Sequence, residues 1–244
     1  MAHTLTVRIV SLAERPDLVG QLSGFEDSWP RFMFEDTIAL LMGPLNERFP
    51  ELQLVLLDGE RCVGKAHAVP FNWDGAEESL PDRGWDEVLI RGAGGGKPTA
   101  VSALEITIRP HLRGKGLSAL LLSALYDAVR RLGLADLFAP VRPSLKSAEP
   151  LVPMAEYAAR VREDGLPWDP WLRVHVRAGG RIVRVCPLSM TILGTLPQWR
   201  EWTGLAFDGD GDLLVPGALA PVAVSQSRNH AVYVEPNVWV RHRL

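Results

Sequence analysis

The chain has 244 residues, 47% of them apolar and 23% charged, with a formal net charge of −3. That length fits one large domain or one domain with an extension, and the apolar fraction suffices for a core. The near-neutral balance leaves no electrostatic footprint of a nucleic-acid binder, and no stretch approaches the roughly 18 apolar residues of a membrane span.

The opening HTLTVRIVSL (3–12) alternates and is rich in β-branched residues, which predicts a first strand. It contains no basic segment leading into an apolar one, so no export signal is expected. RPDLVGQLSGF and FEDTIALLMGPLNERF follow with helical spacing, the second interrupted at Gly43-Pro44. LQLVLLDGERCVGKAHAVPF predicts a hairpin around Asp58-Gly59. Residues 73–99 read as a long polar insertion holding at most a short helix at DEVLI. A connection of that length is expected to act as a lid or binding loop. Residues 99–109 form the next strand, closed by Pro110. Leu117, Leu121, Leu125, Ala128 and Leu132 then repeat at helical spacing until Gly133. ADLFAPVRP (135–143) is a further strand, followed by a proline-broken loop to about 167. DPWLRVHVRAGG opens a helix at Asp-Pro, RIVRVCPLSMTI reads as a strand pair, and TLPQWREWTGL is a helix with Thr195 as N-cap. Short strands and turns fill the last forty residues. Cys62 and Cys186 sit in strand-like runs and read as buried thiols of a reducing compartment, hence a cytoplasmic location. The order of elements predicts a mixed α/β fold.

Chemistry concentrates where the 99–109 strand turns into the leucine-rich helix, in EITIRPHLRGKGLSALLLSAL. A helix start exposes unpaired amides and the positive end of its dipole. Gly114 and Gly116 let an anion approach closely, and Arg113 and Lys115 add positive charge. A diphosphate is the natural guest. A tight βα turn with two solvated cations is the alternative.

Arg113-x-x-Gly116-x-Ser118, behind a β run and ahead of LSALLLSAL, resembles the acyl-CoA-binding signature of the GNAT acyltransferases, with Ser118 where that family has Gly or Ala. The element order also resembles that family. The resemblance implies a mixed, mostly antiparallel sheet flanked by helices over residues 1–193, with an insertion at 73–99 and a β-rich extension at 194–244 packed on the same domain. It implies acetyl-CoA as cosubstrate, with no metal. The amides of Arg113, Gly114, Lys115, Gly116, Leu117 and Ser118 would hold its diphosphate. The main chain of Ile106, Thr107 and Ile108 would hold the pantetheine arm, in a gap walled on its other side by residues 137–143. Glu105 would be the general base; alternation places it on one face with Ala103 and Thr107. His175, four residues before Gly179, falls where the family often carries an acid that protonates the departing thiolate; Tyr157 is the alternative.

The implied activity is transfer of an acetyl or other short acyl group to a small-molecule or peptide amine by direct attack on the thioester. A non-catalytic acyl-CoA-binding module is the competing reading, and a homodimer is compatible with either. Arg142, Ser144 and Lys146 follow the second wall strand, either to contact the adenosine side of the cofactor or an acidic substrate, or as a solvated loop with two cations. Trp168 and Trp171 are candidates for an acceptor pocket. RGAGGGKPT (91–99) fails the phosphate-loop pattern at Arg91 and Pro98. DGDGDLL (208–214) lacks the glycine and glutamate of a calcium loop. The histidines and cysteines show no zinc spacing.

Overall fold

The Asp58-Gly59 hairpin seeds the sheet. Strands β2 (Gln53–Asp58) and β3 (Arg61–Phe71) pair antiparallel, with Asp58 opposite Arg61. Gly59 takes the positive φ of 60° that a two-residue turn demands. The computed structural model describes residues 6–22, 25 and 29–244; the predicted strand start at 3–5 and part of the helical run after Arg15 lie outside them. Strand β1 (Val7–Ser11) edges β2, β4 (Ala100–Ile108) pairs antiparallel with β3, and β5 (Asp136–Val141) lies parallel to β4. The long β6 (Arg181–Thr195), the short β7 (Gly211–Leu213) and β8 (Val222–Ser225), and β9 (His230–Arg243) complete the sheet. Its order is β1-β2-β3-β4-β5-β9-β8-β7, with β6 also paired to β9. The β4–β5 pair is its one parallel junction among the described residues.

Helices α1 (Val19–Leu22), α2 (Met42–Arg48) and α3 (Gly84–Gly94) precede β4, and α4 (Leu117–Arg131) links β4 to β5. Then come α5 (Met154–Ala158), α6 (Pro170–Arg177) and α7 (Leu196–Thr203). The sheet carries a core on each face. On one, Leu117, Leu121, Leu122, Leu125 and Val129 of α4 pack on Ala66, Ala68, Val101 and Ala139. On the other, Phe32, Trp85, Phe138, Trp199, Tyr233 and Trp239 form an aromatic layer. The Phe32 ring meets Tyr233 edge-on at 5.4 Å, a geometry aromatic quadrupoles favour. The Asp169 carboxylate caps α6, and Thr195 with Gln198 forms a capping box on α7.

Four expectations change. Residues 73–99 are no polar loop: Trp85, Val88, Leu89 and Gly92 are buried at positions i, i+3, i+4 and i+7, the apolar stripe of α3, which packs on β3 and β6. Pro44 falls in the first turn of α2, where a missing N–H costs nothing, rather than interrupting it. Residues 181–195 are one strand, not a pair; its ladder breaks between Cys186 and Met190, around Pro187, which has no N–H to pair. The C-terminal run holds the expected short strands in β7 and β8 but ends in a long one, β9. β9 pairs with both β5 and β6, and Val238, Trp239 and Val240 are all buried, so both faces are covered and alternation disappears.

The seat of α3 is testable. A Cβ on Gly92 would stand 2.1 Å from Val69 Cγ2 and 3.0 Å from the Pro70 carbonyl, whereas one on Gly94 would meet nothing within 4 Å. Gly92→Val should therefore lower the free energy of unfolding by roughly 2–3 kcal/mol in urea titration. Gly94→Val should cost less than about 1 kcal/mol, and equal effects would refute the packing.

Candidate active site

β4 and β5 pair only at Val101–Leu137 and Ser102–Phe138, then part. β4 stays with β3 as far as Ile108, and β5 stays with β9 as far as Val141. The chain contains the cause. The Leu244 amide donates to the Ala135 carbonyl, so alternation turns the main chain of residues 137, 139 and 141 toward β9 and that of 136, 138 and 140 toward β4. The residue facing β4 just past the last pair is Pro140, which has no N–H. On the other bank, the Arg109 amide donates to the Val63 carbonyl. The same alternation turns Ile106 and Ile108 toward the gap and commits Thr107 to β3. Of the three predicted pantetheine residues, two thus offer main-chain groups to the gap. The Ile108 carbonyl already accepts a 3.3 Å bond from Arg113 Nε.

The start of α4 opens beside this gap. Gly116 is its N-cap, at φ 77°, and no side chain caps the helix. Gly114 has φ 76°, and a Cβ built on either glycine meets nothing within 4 Å. Glycine is needed here for the backbone conformation, and the space above the turn is open. Arg113, Gly114, Lys115 and Gly116 are exposed, Leu117 is buried in the core beneath them, and Ser118 is half-buried. The Arg113 amide is engaged by the Pro110 carbonyl; the helix start that follows it has the unpaired amides, dipole and cations of an anion cradle.

Glu105 lies in the parted section of β4. The expected face is corrected by a bulge. His67 pairs with Glu105 and Ala68 with Ala103, which leaves Leu104 as the extra residue. Ala103 packs toward α4, while Leu104 and Glu105 both face the aromatic side. Glu105 Oε1 accepts from Thr107 Oγ1 at 2.7 Å and lies 3.1 Å from Lys65 Nζ. His67 Nε2 is 3.9 Å from Oε2, and burial holds this imidazole down at about 4, so it is neutral. Glu105 forms part of the wall of a cavity of about 320 Å³. Its other walls include Trp29, Met33, Asp36, Lys65, Trp85 and Met190. The Trp85 indole is fixed by donating to the Leu104 carbonyl at 3.0 Å.

The predicted acids are not there. His175 is 1% exposed, and its Nδ1 lies 2.9 Å from His242 Nε2. His242 Nδ1 lies 2.7 Å from Tyr126 Oη, which donates to the Ala178 carbonyl. One neutral proton order satisfies this chain: His175 donates to His242, His242 to Tyr126, and Tyr126 to Ala178. Burial, reinforced by the neighbouring ring, pushes His175 down to about 3, and burial pushes His242 down to about 4. His242 pairs with Leu137, at the closed end of the gap. His175 is thus a core residue remote from the parted strands. Tyr157 is buried too and donates to the capping carboxylate of Asp169 at 3.0 Å; burial and that charge hold its hydroxyl up.

Other expectations fail for related reasons. Lys146 is no solvated cation but is buried, donating to the Glu149 and Leu219 carbonyls. Arg142 is paired with Glu235 at 2.9 Å, and Ser144 is exposed. Trp168 is half exposed and Trp171 sits edge-on to His175, while Trp29 and Trp85 line the cavity instead. Lys65 stands opposite Thr107 only through the long-range pairing of β3 with β4, which no turn signal fixes; Asp36 carries no spacing signal.

No protein-family profile matches the sequence. Arginine N-acetyltransferase avaD of Aspergillus versicolor is 33% identical over 94% of this chain and 91% of its own length. The loading GNATL domain of CurA from Lyngbya majuscula shares the fold at a TM-score of 0.63 and 18% identity, covering 99% of this chain and 98% of that one. The GphF GNAT-like decarboxylase in complex with isobutyryl-CoA does so at 0.60 and 19%, covering 98% of both chains. The parted strands, the glycine-rich helix start and the curated relative agree: the chain belongs to the GNAT superfamily of N-acyltransferases.

Gly116→Asp sets a side chain with a negative charge on a left-handed residue at the cradle. Acetyl-CoA affinity by calorimetry should fall more than tenfold, about 1.4 kcal/mol; unchanged affinity in a folded variant would exclude the cradle.

His67, His175 and His242 are buried with depressed pKa values near 4, 3 and 4. Unfolding lets each bind a proton below its ordinary value near 6.5, so their contribution is complete above pH 6.5 and is lost as pH falls toward 4. His175→Gln should show a shallower decline of the urea midpoint across that window than the parent chain; parallel declines would show that His175 is protonated in the folded state.

Proposed function

We propose that this chain transfers an acetyl or other short acyl group from coenzyme A to the amine of a small cationic acceptor of the arginine type. The observation that carries the reading is the parting of β4 and β5 at the residues just before Glu105, beside an open helix N-terminus and a cavity. The acceptor class is supported by the arginine N-acetyltransferase relative. The cavity's walls also favour a catalytic role over a cofactor-binding module, because they include a carboxylate beside the parted strands.

The diphosphate would rest on the amides and cations of residues 113–118. The pantetheine would run between β4 and β5, bonding the main chain of Ile106 and Ile108. The sulfur would then stand near Glu105. An acceptor arriving as an ammonium must lose a proton before it attacks, and Glu105 accepts it, directly or through water. The nitrogen adds to the thioester carbon, and the outward-facing N–H of Ile106 is a donor for the developing oxyanion. The C–S bond then breaks, and the thiolate regains a proton that Glu105 or the new ammonium gives up. Thr107 and Lys65 hold the carboxylate in place throughout.

Glu105→Gln keeps the side chain's shape and its acceptor oxygen. Turnover, read as free-thiol release from acetyl-CoA with arginine, should fall by about 10²–10⁴-fold, with acetyl-CoA affinity unchanged. Turnover equal to the parent's would remove Glu105 as the base.

A further inference from the structure

Glu105 and Lys65 meet the cavity as an ion pair. Lys65 Nζ lies 3.1 Å from Glu105 Oε1, and the two side chains are 13% and 11% exposed, the glutamate slightly the more. Both line the cavity, so the pair is reached from it. An ammonium carries three N–H donors. Among the described residues Glu105 is the one anionic partner of Lys65, whose cation also rests 5.4 Å from the centroid of the Phe25 ring. Lys146 shows the contrast: its ammonium donates to the Glu149 and Leu219 carbonyls, which Lys65 has no counterpart to among the described residues. Asp36, the other acid of the wall, is buried, with Oδ1 accepting from the Ile38 amide. Glu105 is therefore the carboxylate, and Lys65 the cation, that the cavity presents to a ligand.

The proposed reaction brings an ammonium to Glu105. That ammonium then stands beside Lys65, and two positive charges face one carboxylate. Like charges this close repel, more strongly away from bulk water. A carboxylate on the carbon that bears the amine removes the conflict. It meets Lys65 while the ammonium meets Glu105, so each charge of the ligand's head faces its opposite. An acid and a base in direct contact are the complement of an α-amino acid head, in which one carbon carries both groups. The rest of the wall is largely apolar, with Met33, Phe34, Leu40, Met42, Trp85 and Met190, which suits the methylenes of a side chain. Phe34 and Leu40 are exposed and mark the side on which a charged tail would reach water.

We propose that Lys65 and Glu105 together clamp the zwitterionic head of an α-amino acid, Lys65 taking the carboxylate and Glu105 the amine, so that the acyl group goes to the α-nitrogen. This rests on the acyltransferase reading and adds to it which amine reacts and which residue selects the acceptor. The N–C bond forms at the α-nitrogen, and the C–S bond of the thioester breaks. Of the two protons the ammonium gives up, one ends on the thiolate and one in solvent.

The test compares arginine with argininamide, using free-thiol release from acetyl-CoA by the full chain. The amide keeps length and shape but is neutral where the carboxylate was. Its amine also sheds a proton more readily, so intrinsic reactivity opposes the expected preference. The parent chain should show a kcat/KM for arginine roughly tenfold or more above that for the amide, and mass spectrometry should place the acetyl group on the α-nitrogen. Lys65→Met removes the cation and also one of the groups that orient Glu105, so both amines should slow. The arginine-to-argininamide ratio should nevertheless fall by about tenfold or more, and Lys65→Arg, which keeps the charge, should still prefer arginine. A parent chain that treats the two amines alike, or an acetyl group found on the guanidine, overturns the clamp without any variant. A folded Lys65→Met chain with the parent's ratio overturns it too. Argininamide turning over as well as arginine removes only the clamp; no thiol release from either amine removes the acyltransferase reading with it.

Discussion

The site depends on two strands that run side by side for two residue pairs and then separate. A parallel ladder continues only while each inward-facing residue supplies a donor and an acceptor. Pro140 supplies no donor on the edge that faces β4, while β9 holds β5 along its whole length and β3 holds β4. The main-chain groups of Ile106 and Ile108 are thereby left facing a gap. In the proposed reaction the amide-bearing arm of coenzyme A takes the place of the missing strand there. The bulge at Leu104 is the second consequence: by spending one extra residue it swings Glu105 onto the aromatic face, over the cavity, rather than onto the face covered by α4.

Buried polar groups divide by whether the protein completes them. His175, His242 and Tyr126 close a neutral chain of hydrogen bonds at the paired end of the strands. Tyr157 and the Leu145 amide complete Asp169. Arg142 completes Glu235. These groups hold elements together, and their bonding capacity is used. Asp36 and Asp86 differ: among the described residues Asp36 Oδ2 and both Asp86 oxygens have no hydrogen-bond partner, and Asp86 is met only by Arg83 at 3.6 Å. Glu105 stands between the two conditions, oriented by Thr107 and Lys65 yet open to the cavity.

The β run, the glycine turn and the leucine repeat of α4 were legible in the chain because each is local. Positive φ at a glycine, a free helix start and a 3.6-residue period all belong to a few consecutive residues. The same holds for the Asp169 and Thr195 caps. The stripe Trp85, Val88, Leu89 and Gly92 was equally local, but glycines and charges on either side disguised it as a loop. His175 was misplaced because the counting rule that selected it knows nothing of burial. A histidine beside a glycine reads alike whether it faces a cleft or another imidazole.

By itself the sequence determined most of the elements before β5, the glycine turn at the start of α4 and the acid on the strand before it, since those follow from backbone geometry over short spans. Tertiary structure decided what surrounds that acid. Asp36, Lys65, Trp85 and Met190 come from four separate segments, and only the packing of α3 over the sheet, of which β6 is a strand, brings them to one cavity. It also decided which buried charges are paired, because pairing is set by distance in space, and no spacing along the chain encodes it.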